Sequence, residues 1–314
     1  MRNAEHQTER RAHPRRSAFR VPRSTLTPVH TTFTVGRLTC HALEGGRQHL
    51  DGGAMFGVVP KPLWERRIAA DARNRIPLAL RCLLIEHDAG LVLVDSGAGN
   101  KESAKFIDIY GLENAGAGGR TALEDALAEL GHRPADVAWV VNTHLHFDHA
   151  GGDTWRDAGG VVRPAFPNAR YVVQKGELEF ARLRNERIQA SYLPHNFEPI
   201  DFLAVSGEVE PLPGIRCLPT PGHVPWHQSI LVESAGERAC FLGDLVPTTH
   251  HLPLVWIMGY DVEPLRTLES RRALYVRAVA DDWLLVFQHD PVVALGRVRR
   301  EERGVALVEP RTIG

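Results

Sequence analysis

The stretch that decides the fold is Thr143-His144-Leu145-His146-Phe147-Asp148-His149-Ala150-Gly151-Gly152, which directly follows an apolar, strand-like run. It places three imidazoles and a carboxylate in six consecutive positions. Because side chains alternate along an extended chain, His144 and His146 leave the strand end on the same side. Asp148 and His149 come after the chain begins to turn, so they can serve a second ion. The pattern predicts a metal site, and it favours hydrolysis by a metal-bound hydroxide.

The alternative interpretation is a loop tip that carries ordinary surface histidines. Four donors this dense, flanked by a strand and by the close-packing pair Gly151 and Gly152, favour the metal site instead. A shorter His-x-His pattern alone would have been a weak signal. The sequence therefore predicts a metal centre at the end of a buried strand.

Length and composition indicate one large domain. The chain has 314 residues, of which 43% are hydrophobic, and this is enough to bury a substantial core. Basic and acidic side chains number 37 and 38, a balance that does not favour a nucleic-acid partner. A membrane span needs about 20 apolar residues. The apolar run from Leu252 to Met258 is far shorter and contains Pro253, so no membrane partner is predicted.

The cysteines lie in strand-like contexts, at Cys40, Cys82, Cys217 and Cys240. Their spacing matches no zinc knuckle, and a chain of this length needs no disulfide to hold its fold. We therefore predict buried free thiols. A reducing compartment keeps thiols unpaired, so the expected localisation is cytoplasmic.

Residues 1–33 differ from the remainder of the chain, because arginines lie among Ser, Thr, Pro and His with few apolar residues. This composition predicts a disordered extension in front of a domain that covers residues 34–314. The apolar segment that a secretory signal peptide requires is missing. A misplaced start codon and an organelle-targeting peptide are alternative interpretations, and Glu5 and Glu9 argue against the second.

Apolar runs bounded by turn residues predict strands at Val35–Ala42, Leu78–Glu86, Leu91–Asp95, Val137–Asn142, Tyr171–Gln174, Ile215–Leu218, Ser229–Glu233, Ala239–Leu242 and Leu284–Phe287. Helical spacing of apolar residues predicts helices at Lys101–Ile109, Thr121–Leu130, Gly176–Gln189 and Pro264–Ala280. Thr121 is the expected N-cap of its helix, with Glu124 completing a capping box and Gly131 as C-cap. Two β-rich stretches separated by helices indicate an α/β fold, in which two sheets pack together with helices outside.

Three further donors each follow an apolar strand. His223 follows a strand that closes in a turn bounded by proline and glycine, and Asp244 follows an apolar strand and a glycine. His289 ends a third apolar run in the same manner. A rigid sheet supports groups at the ends of its strands, which suits an active site. Each donor alone could be a surface residue, but together they supply the remaining ligands.

These motifs, taken in order, resemble the metallo-β-lactamase-fold hydrolases. The resemblance is carried by Thr143–His149, Thr220–His223, Gly243–Asp244 and His289, together with the upstream segment Leu93–Gly97. It extends from about Val35 to the C-terminus. It implies a four-layer αββα sandwich with the site at one edge of the two sheets.

The resemblance also implies a dinuclear centre with seven ligands. The first ion would be bound by His144, His146 and His223, the second by Asp148, His149 and His289, and both by a bridging Asp244. Each ion would keep an open position shared by a hydroxide, as in catalytic sites, so Asp148 and Asp244 are expected to take part in catalysis.

Outside this ligand set, Asp95 is expected to fix one imidazole through its free ring N–H. The alternative for Asp95 is a turn-forming role before Ser96 and Gly97. Zinc is the first expectation for a centre rich in histidine, and the same ligands would accept manganese, cobalt or iron.

Two apolar segments suggest a substrate pocket. Asp51–Trp64 resembles the N-terminal loop of the branch that holds quorum-quenching lactonases and methyl-parathion-type hydrolases. Its Met55, Phe56 and Trp64 are expected to be exposed, as an apolar lid or a contact of a homodimer. The second segment, Pro247–Tyr260, follows the bridging aspartate. It contributes His251, Trp256 and Met258 to the expected pocket. The alternative for both segments is that they belong to the core, and this is the expectation for Leu254 and Ile257.

One departure from the resemblance concerns the proton donor. N-acyl-homoserine lactonases of this fold commonly carry a tyrosine three positions after the bridging aspartate, and Pro247 occupies that position here. Tyr260, His250 or His251 are the candidates to replace it.

We therefore predict a dinuclear metal-dependent hydrolase in which a bridging hydroxide attacks the ester or lactone carbonyl of a neutral, partly apolar small molecule. Phosphotriester or phosphodiester hydrolysis is the alternative. A ribonuclease or a redox protein of this fold is more remote, and a β-lactamase is less favoured because of the residue at Asp148.

Overall fold

The computed structural model describes residues 29–313. The strands within this range are β1 (His30–Val35), β2 (Leu38–Asp51), β3 (Arg75–Glu86), β4 (Leu91–Val94), β5 (Val137–Val141), β6 (Thr154–Arg156), β7 (Val162–Pro164), β8 (Arg170–Gln174), β9 (Phe202–Val205), β10 (Val209–Leu212), β11 (Ile215–Pro219), β12 (Gln228–Ser234), β13 (Glu237–Phe241), β14 (Leu284–Val286), β15 (Val293–Glu301) and β16 (Gly304–Thr312). The α-helices are α1 (Gly52–Phe56), α2 (Lys61–Trp64), α3 (Ala104–Tyr110), α4 (Ala122–Glu129), α5 (Lys175–Ala181), α6 (Pro194–Phe197) and α7 (Pro264–Ala280).

Two seven-stranded sheets form the centre of the molecule. The first has the order β1-β2-β3-β4-β5-β8-β9 and the second has the order β10-β11-β12-β13-β14-β15-β16. A small hairpin of β6 and β7 stands apart from both. The long second sheet is a meander apart from one crossover, in which α7 connects β13 to the parallel strand β14.

The layers are defined by three buried apolar clusters. One cluster fills the space between the sheets and includes Val94 of the first sheet and Phe241 of the second. A second cluster lies on the outer face of the first sheet, where Leu127 of α4 is buried. A third lies on the outer face of the second sheet against Leu274 of α7. The order of layers is helix, sheet, sheet, helix, which confirms the predicted αββα sandwich of the α/β class.

Strand direction brings the candidate site to one edge of the sandwich. Strands β4 and β5 run parallel, as do β13 and β14, so their carboxyl ends meet at the same edge. Asp95 directly follows β4, and the stretch Thr143–Gly152 follows β5. In the second sheet, Asp244 comes shortly after β13 and His289 shortly after β14.

Most predicted elements are present within one to three residues of their expected bounds. Helix α7 has the predicted limits, and Thr121 caps α4 in the predicted capping box with Glu124. The C-cap of α4 is Leu130, and Gly131 follows it with a φ of 80°. Helix α5 ends at Ala181 rather than at the predicted Gln189, and a loop follows it.

The N-terminal boundary is a correction. Strand β1 begins at His30 and pairs with β2, so residues 30–33 belong to the first sheet and not to an extension. Strand β1 was not predicted, because its sequence is rich in threonine and has few apolar residues. Residues 1–28 of the predicted extension lie outside the described residues. The strands β15 and β16 were not predicted, since charged residues interrupt their apolar pattern.

Two other expectations concern the cysteines and membrane spans. The four cysteines are buried free thiols, as predicted. Within residues 29–313, no helix has the length and apolar character that crossing a membrane demands.

Candidate metal centre

Seven predicted donors converge at the shared edge of the two sheets. They form two groups, and within each group the ligand atoms all lie within 4.8 Å of one another. The first group consists of His144, His146, His223 and Asp244, and the second of Asp148, His149 and His289. All seven residues are buried. The structure therefore brings together the complete donor set that the sequence predicted.

The carboxylate of Asp244 lies between the two groups. Its Oδ2 is 3.0 Å from Nε2 of His223, and its Oδ1 is 3.0 Å from Nε2 of His289. Oδ2 also lies 3.5 Å from Nε2 of His149 and 4.0 Å from Nε2 of His144. One carboxylate thus faces imidazoles of both groups, which is the arrangement that a bridging ligand requires.

The donor set fits divalent cations. Nε2 of His144 is buried and has no hydrogen-bond partner among the described residues. Nε2 of His223 is 3.1 Å from Nδ1 of His146, and Nε2 of His289 is 3.3 Å from Nε2 of His149. Around one tetrahedral zinc ion, Zn–N bonds of about 2.1 Å separate the nitrogens by roughly 3.4 Å. The spacings suit ligands that share an ion.

The electrostatic environment keeps three of the donors in the protonation state that metal binding requires. Burial, followed by the neighbouring imidazoles, holds the pKa of His144 and of His146 well below the ordinary value, so both rings are neutral and have a lone pair to donate. Burial alone raises the pKa of Asp244, but the imidazoles of His223 and His149 outweigh burial and hold that pKa well below its ordinary range. The carboxylate is therefore ionised.

Buried hydrogen bonds orient three of the imidazoles. Nδ1 of His149 is 2.9 Å from Oδ2 of Asp95, which is the contact predicted for this aspartate. Nδ1 of His223 is 3.0 Å from Oδ1 of Asp261, and Nδ1 of His289 is 2.7 Å from a backbone carbonyl oxygen. Such partners fix the tautomer and direct the other ring nitrogen towards an ion. The role of Asp261 was not predicted from the sequence, because no local pattern points to this residue.

Asp95 also holds the backbone of the motif. It accepts hydrogen bonds from the backbone N–H of Thr143 at 2.7 Å and from its hydroxyl at 2.8 Å. Asp95 has a φ of 54°, a left-handed conformation that aspartate tolerates better than most residues. Gly152 packs so closely that an added Cβ would lie 2.1 Å from the carbonyl oxygen of Ser96. This contact explains the glycine that closes the motif.

Two polar contacts of the motif were not predicted. Nε2 of Gln48 donates to Oδ2 of Asp148 at 2.5 Å, so Gln48 orients that carboxylate. Oε1 of Glu177 accepts from the backbone N–H of Leu145 at 3.0 Å and from the hydroxyl of Tyr192 at 2.7 Å. The partners are far apart in sequence, and only the tertiary fold brings them together.

A pocket opens above Asp148 and Asp244. Met55 and Met258 line it, as predicted, together with other apolar side chains such as Leu50 and Leu78. Its polar lining includes the predicted Tyr260 and three residues that sequence analysis missed, Gln48, Tyr110 and Arg187. Burial raises the pKa of Tyr260 to about 12, so its hydroxyl keeps its proton at neutral pH.

Phe56 and Trp64 correct the prediction of an exposed lid. Both are almost fully buried and stack on each other with ring centroids 5.5 Å apart. They pack with Ile76 and Leu78 of β3 in an apolar cluster beside the pocket. Met55 is equally buried, although it reaches the pocket wall. The apolar loop folds back onto β3, because this removes its large side chains from water.

Three residues of the second apolar segment also fall outside the pocket lining, which corrects their predicted roles. His251 is buried, stacks on Phe56 at 4.6 Å and bonds to the carbonyl oxygen of Met55 at 2.8 Å. Trp256 contacts the edge of Phe56 at 5.7 Å. His250 is absent from the lining, which leaves Tyr260 as the predicted proton donor that reaches the pocket.

Comparison with known proteins agrees with this geometry. Residues 76–291 match the family model of the metallo-beta-lactamase superfamily. The chain belongs to this superfamily. The matched range begins in β3, extends through all seven donors and includes Asp95 and Asp261.

Individual members of the metallo-beta-lactamase superfamily are also similar to the chain. An N-acyl homoserine lactonase from Bacillus cereus is 34% identical over 169 residues, which are 51% of this chain and 61% of that protein. The chain thus spans about 60% of the length of the curated relatives it matches.

Two solved structures extend the comparison over most of the chain. A probable metal-dependent hydrolase from Staphylococcus aureus aligns with a TM-score of 0.80 and 31% identity, covering 89% of this chain and 98% of that one. An N-acyl homoserine lactone hydrolase, solved with N-hexanoyl-L-homoserine at its catalytic metal center, has a TM-score of 0.62 and 26% identity, covering 82% and 95%.

Proposed function

We propose that this protein is a dinuclear metal-dependent hydrolase that cleaves an ester or lactone bond in a neutral, partly apolar small molecule. The observation that carries the proposal is the position of Asp244, whose two carboxylate oxygens face imidazoles of both donor groups beneath the pocket. Zinc is the first candidate for both ions, because the donors are imidazole nitrogens and carboxylate oxygens.

The similar proteins support the proposed reaction class. The Bacillus cereus relative is a lactonase, and one solved structure holds N-hexanoyl-L-homoserine, the product of lactone opening, at its metal center. Both are compatible with a carbonyl substrate that carries an apolar portion. The proposal extends these properties to this chain on the strength of the shared donors and the pocket.

The ligands determine where the reaction takes place. Ions bound by the two donor groups would lower the pKa of a water molecule between them and polarise the substrate carbonyl. Asp244 and Asp148 would neutralise part of the positive charge of these ions, and Asp95 and Asp261 keep two of the imidazoles in place. The substrate carbonyl would lie in the pocket that Asp244 and Asp148 line.

Tyr260 is the proposed proton donor. Its hydroxyl remains protonated because burial raises its pKa to about 12, and its ring lines the pocket beside Asp148. A phenol in this position can donate a hydrogen bond to the carbonyl oxygen or a proton to the leaving oxygen. Pro247 cannot donate a proton, although it occupies the position where relatives commonly have tyrosine.

The pocket favours neutral substrates. Leu50, Met55, Leu78 and Met258 contribute thioether and aliphatic surface that excludes water from the reacting carbonyl. Along these apolar walls a buried phosphodiester charge would have no partner. We therefore expect esters and lactones to be hydrolysed more efficiently than phosphodiesters.

A substrate panel tests the proposal. It contains aryl and alkyl esters, γ- and δ-lactones, a phosphotriester and a phosphodiester, all assayed with zinc-loaded protein. Higher kcat/KM for the phosphodiester than for every ester and lactone would show that the proposed carbonyl chemistry is wrong.

The same panel tests the proton donor with a matched pair of variants. Tyr260→Phe should lower kcat for alkyl leaving groups by about 100-fold, and should affect aryl esters little, because a good leaving group needs no proton. His250→Ala is the control, since its side chain lies outside the pocket, and it should leave all rates unchanged. An unchanged kcat for alkyl lactones in Tyr260→Phe would exclude this tyrosine as the donor.

A further inference from the structure

Arg187 provides a positive charge at the mouth of the pocket without a carboxylate partner. Its exposed side chain lines the same cavity as Asp148 and Tyr260. Between residues 29 and 313, no carboxylate oxygen lies within 4.0 Å of its guanidinium. Its Nη2 donates to the carbonyl oxygen of Gly259 at 2.8 Å. A guanidinium has five N–H donors, so most of them remain available to a ligand.

The backbone at Arg187 is held by hydrogen bonds within the segment that carries it. Oδ1 of Asn185 accepts hydrogen bonds from the backbone N–H of Arg187 at 3.0 Å and of Ile188 at 3.2 Å. Farther along the segment, the carbonyl oxygen of Ser191 accepts from the N–H of Phe147 at 2.9 Å, inside the metal-binding motif. The segment is therefore connected to the same motif that supplies four of the donors.

The bond from Arg187 to Gly259 places the cation beside the proposed proton donor. Gly259 directly precedes Tyr260, and the charge of Arg187 partly offsets the rise in the pKa of Tyr260 that burial causes. Tyr110 also lines the pocket. The lining thus combines a cation and two phenols with largely apolar walls.

We propose that Arg187 determines specificity by binding an oxygen acceptor on the substrate, either an amide carbonyl or a carboxylate, that is separate from the reacting carbonyl. This inference rests on the proposed ester or lactone hydrolysis. The apolar walls can hold a hydrocarbon portion but give the guanidinium no partner, and a donor that loses water without gaining an acceptor is costly. Guanidinium binds carbonyl and carboxylate oxygens with good geometry.

The experiment compares three γ-butyrolactones that differ only at the α-carbon, which carries an acetamido, a carboxymethyl or a propyl group. Arg187→Ala should raise KM for the first two by about 10- to 100-fold and leave the propyl compound unchanged. The matched control is Arg184→Ala, because Arg184 lies exposed in the same segment but pairs with Glu198 at 2.9 Å. This control should leave all three KM values unchanged.

Binding of the corresponding lactams, measured by calorimetry, gives a readout that does not depend on turnover. Dissociation constants of the acetamido and carboxymethyl lactams should rise in Arg187→Ala, and that of the propyl lactam should not. Arg187→Lys distinguishes the two acceptors. Lysine keeps the charge but loses the planar fork, so it should restore binding of the carboxylate more than that of the amide.

The outcomes separate this inference from the proposed function. Equal losses for all three compounds, or equal effects of Arg187→Ala and Arg184→Ala, would overturn the assignment of Arg187. A wild-type preference for the acetamido compound supports the assignment and identifies a neutral amide, as the proposed function expects. A preference for the carboxymethyl compound supports the assignment but contradicts the neutral substrate of the proposed function. Lactam binding that depends on Arg187, without turnover of any lactone, supports the assignment and contradicts the proposed function.

Discussion

Asp261→Ala should weaken the binding of one of the two proposed ions and leave the binding of the other unchanged. Asp261 contacts Nδ1 of His223 at 3.0 Å, and His223 belongs to the first donor group only. Loss of such a partner frees the imidazole to rotate and removes the carboxylate that favours the required tautomer. The typical cost is a 10- to 100-fold loss of metal affinity, which corresponds to about 1.4 to 2.7 kcal/mol.

The assay is a competition titration of zinc against a chromophoric chelator, which resolves two binding steps. Wild-type protein should bind two equivalents, and in Asp261→Ala one step should weaken while the other keeps its affinity. Asp95→Ala is the matched variant, because Asp95 contacts His149 of the second group at 2.9 Å. Equal weakening of both steps in Asp261→Ala, or unchanged affinity of both, would refute the reasoning.

Four other variants test separate features. Asp244→Ala should reduce zinc content at both steps, and His289→Ala mainly at one, as measured by elemental analysis after dialysis. Phe56→Ala should lower the free energy of unfolding by about 3 to 5 kcal/mol in urea titration, because the ring is fully buried. Burial lowers the pKa of Lys101 from 10.5 to about 8. Between pH 8 and pH 10.5 the unfolded chain therefore binds more protons than the folded chain. The free energy of unfolding should rise with pH across this range. Lys101→Met should abolish this rise of about 3 kcal/mol, and an identical pH dependence in both proteins would contradict the assignment.

The seven donors could be predicted from the sequence because each stands at a recognisable place in the local pattern. Four of them lie within one short motif, and His223, Asp244 and His289 each follow an apolar strand. The central strands of both sheets could also be predicted, since their apolar runs of strand length are bounded by turn residues. The outer strands β1, β9, β10, β15 and β16 were not predicted. At these positions the local sequence pattern agrees with the tertiary structure, and the positions of the donors could therefore be predicted.

Residues that act through distant partners could not be predicted in the same way. Gln48 is 100 positions from Asp148, and Asp261 is 38 positions from His223. Composition likewise cannot tell an apolar loop that faces solvent from one that folds back on a sheet, which is why Phe56 was expected to be exposed. These features depend on how the loops pack, and the local pattern contains no record of that packing.

The donors are contributed by segments that leave the ribosome at very different times. The motif after β5 is synthesised first, whereas Asp244 and His289 belong to the second sheet. A nascent chain that ends before residue 289 would hold an incomplete donor set, however well its first sheet had folded. Full loading of the proposed dinuclear centre would therefore come late in biosynthesis, after the second sheet has docked, and the bound ions would then join the two sheets and oppose their separation.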